Sequence, residues 1–291
     1  MSVTRRQTVT GLLLTLIVLV TLLPGRGQQQ SSRFQQQQRF QQQDPSGFEG
    51  GAVGSPSLLK RMQNGRQVPG EYAFARIVYE SPHSPYNAWF GGAWRVDYPE
   101  ADYNFMEGIH LWASTNLHLA SQPVQIRPTD PKIYDYPFVY IVEPGHLELT
   151  DNDAAALREY LLRGGFLMLD DFHGEIEWAH AREQLKKIFP EYEPKDLPLS
   201  HPIFHSYFDL DQVVQVPGVA ALIRGVTYEH GGVTPHYRGV EDKNGRLMIF
   251  MTFNCDLGDA WEWVNDPRYP ARYGVIAYKI GINVIIYSMS H

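Results

Sequence analysis

The run Asp135–Gly174, DYPFVYIVEPGHLELTDNDAAALREYLLRGGFLMLDDFHG, constrains the fold more than any other part of the chain. Phe138–Val142 is an almost unbroken apolar stretch, as a strand buried on both faces requires. Thr150 with Asp153 three residues on has the form of a capping box, with Asp in the usual Glu place. Leu157, Tyr160 and Leu161 supply the apolar stripe of a helix, and Gly164-Gly165 stops it. Phe166–Leu169 is then a second buried strand, ending in the acidic turn Asp170–Gly174. A strand–helix–strand unit of this kind implies a right-handed crossover joining parallel strands.

The same alternation extends along the chain. Phe74–Tyr79 reads as a first strand, Ser81–Tyr103 as a long aromatic loop, and Phe105, Ile109, Trp112 and Asn116 as one face of a helix. Val124–Arg127 is a short strand, Ile176–Phe189 a helix, and Ala220–Val226 and Leu247–Phe253 are further strands. Tyr273–Ser290 is apolar nearly all round, as a terminal helix packed deep against the sheet would be. The expected fold is α/β, a doubly wound, mostly parallel sheet.

The first residues belong to a different physical regime. Arg5 and Arg6 precede the thirteen-residue apolar run Gly11–Leu23, and Gly25-Arg26-Gly27 offers a small-x-small site. Residues 1–27 therefore read as a signal peptide or an uncleaved N-terminal anchor, the run being short for a bilayer span. Gln28–Gln43 holds ten glutamines in sixteen residues, and a Gly/Ser-rich passage follows, so 28–71 reads as a disordered linker. The folded domain is expected over 72–291. An exported, periplasmic or otherwise extracytoplasmic protein is implied, touching a membrane only through that N-terminal segment.

Removing residues 1–27 leaves 22 bases against 32 acids, a balance that disfavours phosphate-rich nucleic acid as a partner. The single cysteine, Cys255, rules out an intramolecular disulfide. No G-x-G-x-x-G or phosphate loop indicates a nucleotide, and no G-x-S-x-G elbow indicates a serine nucleophile.

Chemistry in an open parallel sheet gathers beyond the carboxyl ends of its strands. Here those ends offer Glu143, then Asp170, Asp171 and His173, then Asn254, Cys255 and Asp256. Three readings stand for the acidic turn. Asp171 and His173, with His201 and Asp256, are candidate ligands for a divalent metal. Asp170, Asp171, His173 and Glu143 are candidate acid–base groups. Alternatively, Asp171 caps the helix that starts near Gly174 while Asp170 braces a loop. His201 and His205 flank a proline in a loop, where anchoring competes with metal binding. Cys255 sits between Asn254 and Asp256, a setting that disfavours a thiolate. Trp89, Trp94, Trp261 and Trp263 offer either an aromatic binding surface or core filling.

The stretch from Pro137 to Gly174, followed by LPLSHPIFHSYFDL and FNCDLGDAWEW, resembles domain-of-unknown-function family 4159. That family is similar to the class I glutamine-amidotransferase-like, ThuA-like superfamily, which implies a flavodoxin-like fold. True amidotransferases carry a cysteine in the turn where this chain has Leu169–Gly174, so the resemblance implies a scaffold without glutamine hydrolysis. Two functions follow as expectations. One is a binding or assembly module of the cell envelope, with an envelope protein or a carbohydrate as ligand. The other is a metal-assisted hydrolase acting on a carbohydrate or related envelope substrate.

Overall fold

A computed structural model of the chain describes residues 72–113, 119–120 and 122–291. The expected signal or anchor segment, the expected linker and Asn116 lie outside the described residues. Seven strands are present among the described residues: β1 (Ala75–Ile77), β2 (Val124–Ile126), β3 (Phe138–Val142), β4 (Phe166–Asp170), β5 (Lys195–Asp196), β6 (His236–Glu241) and β7 (Leu247–Phe253). The helices are α1 (Asn87–Phe90), α2 (Glu100–Trp112), α3 (Asp151–Leu162), α4 (Gly174–Ile188), α5 (Val219–Ile223), α6 (Leu257–Glu262) and α7 (Ala271–Ser290).

The strands form one sheet in the order β2-β1-β3-β4-β7-β6-β5. The first five run parallel, and β6 and β5 close one edge antiparallel. Every residue of β3, β4 and β7 is buried, which is why these strands read as continuous apolar runs. Chain order reverses direction between β1 and β3, the switch point of a flavodoxin-like α/β sheet.

The unit around α3 forms as its sequence dictates. Thr150 Oγ1 accepts from Asp153 N, and Asp153 Oδ2 accepts from Thr150 N, both at 3.1 Å. At the other end a Cβ on Gly165 would meet the Tyr160 ring at 2.3 Å, so only glycine lets the chain turn into β4. Helix α7 is buried along most of its twenty residues, as its apolar sequence requires. Its Asn283 accepts from Tyr207 N and Phe208 N and donates to Phe208 O, pinning a loop to the core.

Two sequence expectations need correction. The aromatic loop Ser81–Tyr103 contains α1 and a 3-10 turn at Ala93–Arg95, and α2 begins already at Glu100. Ala220–Val226 is no strand. Val219–Ile223 is a short helix, started where Asp259 Oδ2 accepts from Val219 N at 2.6 Å and followed by Gly225 at φ 76°. Short apolar runs do not distinguish strand from helix by periodicity. The sheet position is filled instead by β6, paired antiparallel along β7. No helix among the described residues is long and apolar enough to cross a membrane.

Candidate functional site

Three adjacent central strands end in the same way. The residue immediately after β3 is Glu143, after β4 Asp171 and after β7 Asn254, and all three are left-handed, at φ 52°, 59° and 63°. Asp97 (φ 61°) and His230 (φ 44°) are the other non-glycine residues of this kind among the described residues. Such conformations cost a side-chain-bearing residue about 1–2 kcal/mol, least for Asp and Asn. Backbone strain is thus concentrated at the carboxyl edge of the sheet, beside the switch point.

An acidic centre lies there. One carboxylate oxygen each from Asp97, Asp171 and Asp256 fall within 4.8 Å of one another, and so do oxygens from Asp97, Asp259 and Glu262. Asp97 comes from the loop before α2, Asp171 from the turn after β4, and Asp256 is the N-cap of α6. Asp259 and Glu262 stand one turn apart on that helix, on a common face. Asp97 Oδ2 is buried with no hydrogen-bond partner. Two glycines keep the space open: a Cβ on Gly258 would lie 2.1 Å from Asp97 Oδ2, and one on Gly218 would lie 2.6 Å from Asp256 Oδ2.

Burial first, and repulsion among the acids second, push Asp97, Asp171 and Asp256 well above the ordinary carboxylate range. Glu143 is raised mainly by burial, and shares a hydrogen bond with Asp171. Glu262 is pushed up to about 7 by burial and by Asp259. The cation that acts on Asp97 is Arg76, and its guanidinium is already committed to fully buried Asp102. Carboxylates gathered without a counter-charge are unstable as anions; they must share protons or hold a cation. A donor set made only of carboxylates suits a hard divalent ion such as Mg²⁺, Mn²⁺ or Ca²⁺ rather than a thiolate- or imidazole-seeking one.

Comparison with known protein families gives one match, spanning residues 73–289: Domain of unknown function (DUF4159). The chain belongs to this family. No curated protein matches it. The acidic centre of this DUF4159 protein is therefore read from its own geometry.

The expected site residues separate into those that converge and those that do not. Asp171 and Asp256 converge, with Glu143 hydrogen bonded to Asp171. His173 joins them through Nε2, 3.0 Å from Asp171 Oδ1, while its Nδ1 is buried without a partner. Burial holds His173 down at about 3, so the ring is neutral at ordinary pH and its Nε2 shares a hydrogen bond with Asp171 Oδ1. Asp171 does not cap α4: Gly174 N donates to Asn254 Oδ1 at 2.9 Å, and His173 N to Glu177 Oε2 at 2.6 Å.

Asp170 is structural in this DUF4159 fold. Its Oδ2 accepts from Tyr140 Oη and from the N–H groups of Leu257 and Gly258, fixing the start of α6 beneath the acidic centre. His201 is not brought to the site. It lies 3.8 Å from Glu241, which pairs with Leu247 at the opposite edge of the sheet, and it caps its own 3-10 turn by accepting from Ile203 N. His205 anchors the same loop through Asp209 and Leu199 O. Cys255 is buried, and burial pushes its thiol up to about 12, so it is no nucleophile.

Nor do the tryptophans form one surface. Trp261 is fully buried and stacked on Phe105 at 4.3 Å, so it offers no binding face; Trp94 and Trp263 are half-buried, and Trp89 is 82% exposed. Asp97, Asp259 and Glu262 are the site residues that sequence reasoning missed. The spacing Asp256-x-x-Asp259-x-x-Glu262 was the available signal, since it aligns acids along one helix face. Asp97 had none.

Beside the centre opens a groove of about 810 Å³, lined among others by His173, Glu177, His230, Thr234, Arg238 and Asn254. His230 Nδ1 lies 2.5 Å from Glu177 Oε1. The arrangement joins the acidic cluster to the cleft through one residue pair, Asp171 and His173.

Proposed function

We propose that this protein is a metal-dependent hydrolase whose divalent cation sits between Asp97, Asp171 and Asp256. One observation carries the reading: three carboxylates from three separate chain segments converge within 4.8 Å, and one of their oxygens, Asp97 Oδ2, is buried with no partner. A scattered set of acids and a flat aromatic patch would instead have favoured a binding module. The exposed patch reduces to Trp89 and its neighbour Phe90.

A cation held there supplies Lewis acidity and a water acidified toward neutrality. The residues of the chain do the rest. Asp171 orients the neutral His173 ring through Nε2 where it lines the groove. Glu177 fixes His230 across the same groove. Substrate enters by the groove, where hydrogen-bonding side chains and the aromatic floor of Phe253 suit a carbohydrate or a related envelope polymer.

The scaffold reads as a degenerate amidotransferase-like one. Asp171 occupies the left-handed turn after β4 where that superfamily places its cysteine. The basic, apolar start of the chain supports an exported protein working outside the cytoplasm.

The test is hydrolysis of chromogenic glycoside and ester substrates by the full chain, with and without chelator, alongside Asp171→Asn. Hydrolysis restored by Mn²⁺ or Mg²⁺ and lost in the variant is the expected result. A chain that neither retains a divalent ion nor changes its melting temperature when one is added would overturn the proposal.

A further inference from the structure

We infer that the centre binds two divalent cations, bridged by Asp97, the second held by Asp259 and Glu262. This rests on the reading above and extends it from one ion to a pair.

The geometry divides the acids into two sets that share a single member. Asp97, Asp171 and Asp256 form one, and Asp97, Asp259 and Glu262 form the other, each with oxygens mutually within 4.8 Å. A carboxylate has two oxygens, so one residue can serve both sets. Asp97 meets the requirement on independent grounds. It is only 7% exposed, its Oδ2 has no partner, and that oxygen lies against Gly258, the residue preceding Asp259. The orphaned oxygen therefore faces the first turn of α6, which carries Asp259 of the second set and adjoins Asp256 of the first.

Charge points the same way. Five carboxylates meet here, and Arg76, the cation acting on Asp97, is taken up by Asp102. With all five ionised, one divalent ion leaves three negative charges uncompensated in a buried setting, and two leave one. Glu229, which adds to the field at Asp259, lies next to Gly218 and is paired with Arg224. Two ions sharing a carboxylate, typically about 3.5–4 Å apart, can hold both the attacking and the departing oxygen of one displacement.

The experiment is Mn²⁺ stoichiometry of the full chain by equilibrium dialysis and elemental analysis after chelator treatment, with electron paramagnetic resonance on the same samples. Glu262→Gln removes a ligand of the second set alone. Two Mn²⁺ per chain with an exchange-coupled spectrum, falling to one with an isolated-ion spectrum in Glu262→Gln, is the expected outcome. One Mn²⁺ in both proteins overturns the second ion and leaves the single-ion hydrolase standing. Two in both proteins overturns the assignment to Glu262. None in either overturns both proposals. Should Glu262→Gln fail to fold, the wild-type spectrum decides, since an uncoupled signal at saturation excludes a bridged pair.

Discussion

Replacing Asp170 by Asn separates the carboxylate that builds the site from those that hold the cation. Both Asp170 oxygens are occupied. Oδ2 accepts from Tyr140 Oη at 2.9 Å, Leu257 N at 3.0 Å and Gly258 N at 2.9 Å, and Oδ1 accepts from Thr252 Oγ1 at 2.5 Å. Burial still outweighs these four bonds and lifts the group from its ordinary 3.8 to about 6. An acid raised in this way is more protonated in the folded chain than in the unfolded one. Its contribution to stability is therefore greatest at low pH and is lost as pH rises from 3.8 through 6. At about 1.4 kcal/mol per tenfold change in acidity, the loss above that window is about 3 kcal/mol. Asn carries no charge to desolvate. Its amide oxygen can take the Oδ2 position, and its NH₂ can face Thr252, whose hydroxyl is free to turn to Leu169 O at 3.2 Å.

Urea unfolding with chelator present, at about pH 4 and about pH 7.5, should show about 2 kcal/mol less pH-dependent loss in Asp170→Asn than in the wild type. Cation binding should survive in the variant. Asp170→Ala should fare worse, because the start of α6 and Tyr140 lose their acceptor, at a cost of about 3 kcal/mol or more. An identical pH dependence in Asp170→Asn and wild type would refute the account of Asp170. Loss of the cation in Asp170→Asn would make it a ligand instead of a support.

Gly258→Ala places a methyl 2.1 Å from Asp97 Oδ2, so Mn²⁺ affinity should fall at least about tenfold, measured by isothermal titration, though Ala favours the helix. Cys255→Ala should leave hydrolysis intact, and native Cys255 should resist alkylation until the chain unfolds, because its thiol is buried and raised to about 12. Asp102→Asn strands a fully buried guanidinium and should cost about 3–5 kcal/mol in chemical denaturation.

The centre of the fold was legible because its signals are local. Thr150 and Asp153 cap α3 across three residues, Gly164-Gly165 ends it, and β3 and β4 lie within thirty-five residues of each other. What escaped is tertiary. Asp97 sits in a segment whose sequence advertises only aromatics, and it reaches Asp171 and Asp256 through the order of strands across the sheet. His201 is comparable to His173 as a ligand in the sequence, yet β6 and the C-terminal helix carry it to the far edge, a reversal that depends on antiparallel β6, whose residues HYRGVE form no continuous apolar run. Asp170 and Asp171 are neighbours with opposite duties, and the left-handed turn at Asp171 is what parts them.

That turn, with its counterparts at Glu143 and Asn254, also sets which substitutions heat selection would reward. At Glu143 a glycine would relieve about 1 kcal/mol of backbone strain together with a buried charge. A library of this chain challenged by heat in chelator should therefore drift toward glycine or asparagine at 143 and 171. The same library challenged with Mn²⁺ present should retain Asp171, because there the ligand itself stabilises the fold. Divergence of the two populations at that position would record, in sequence, the conflict between holding a cation and folding without one.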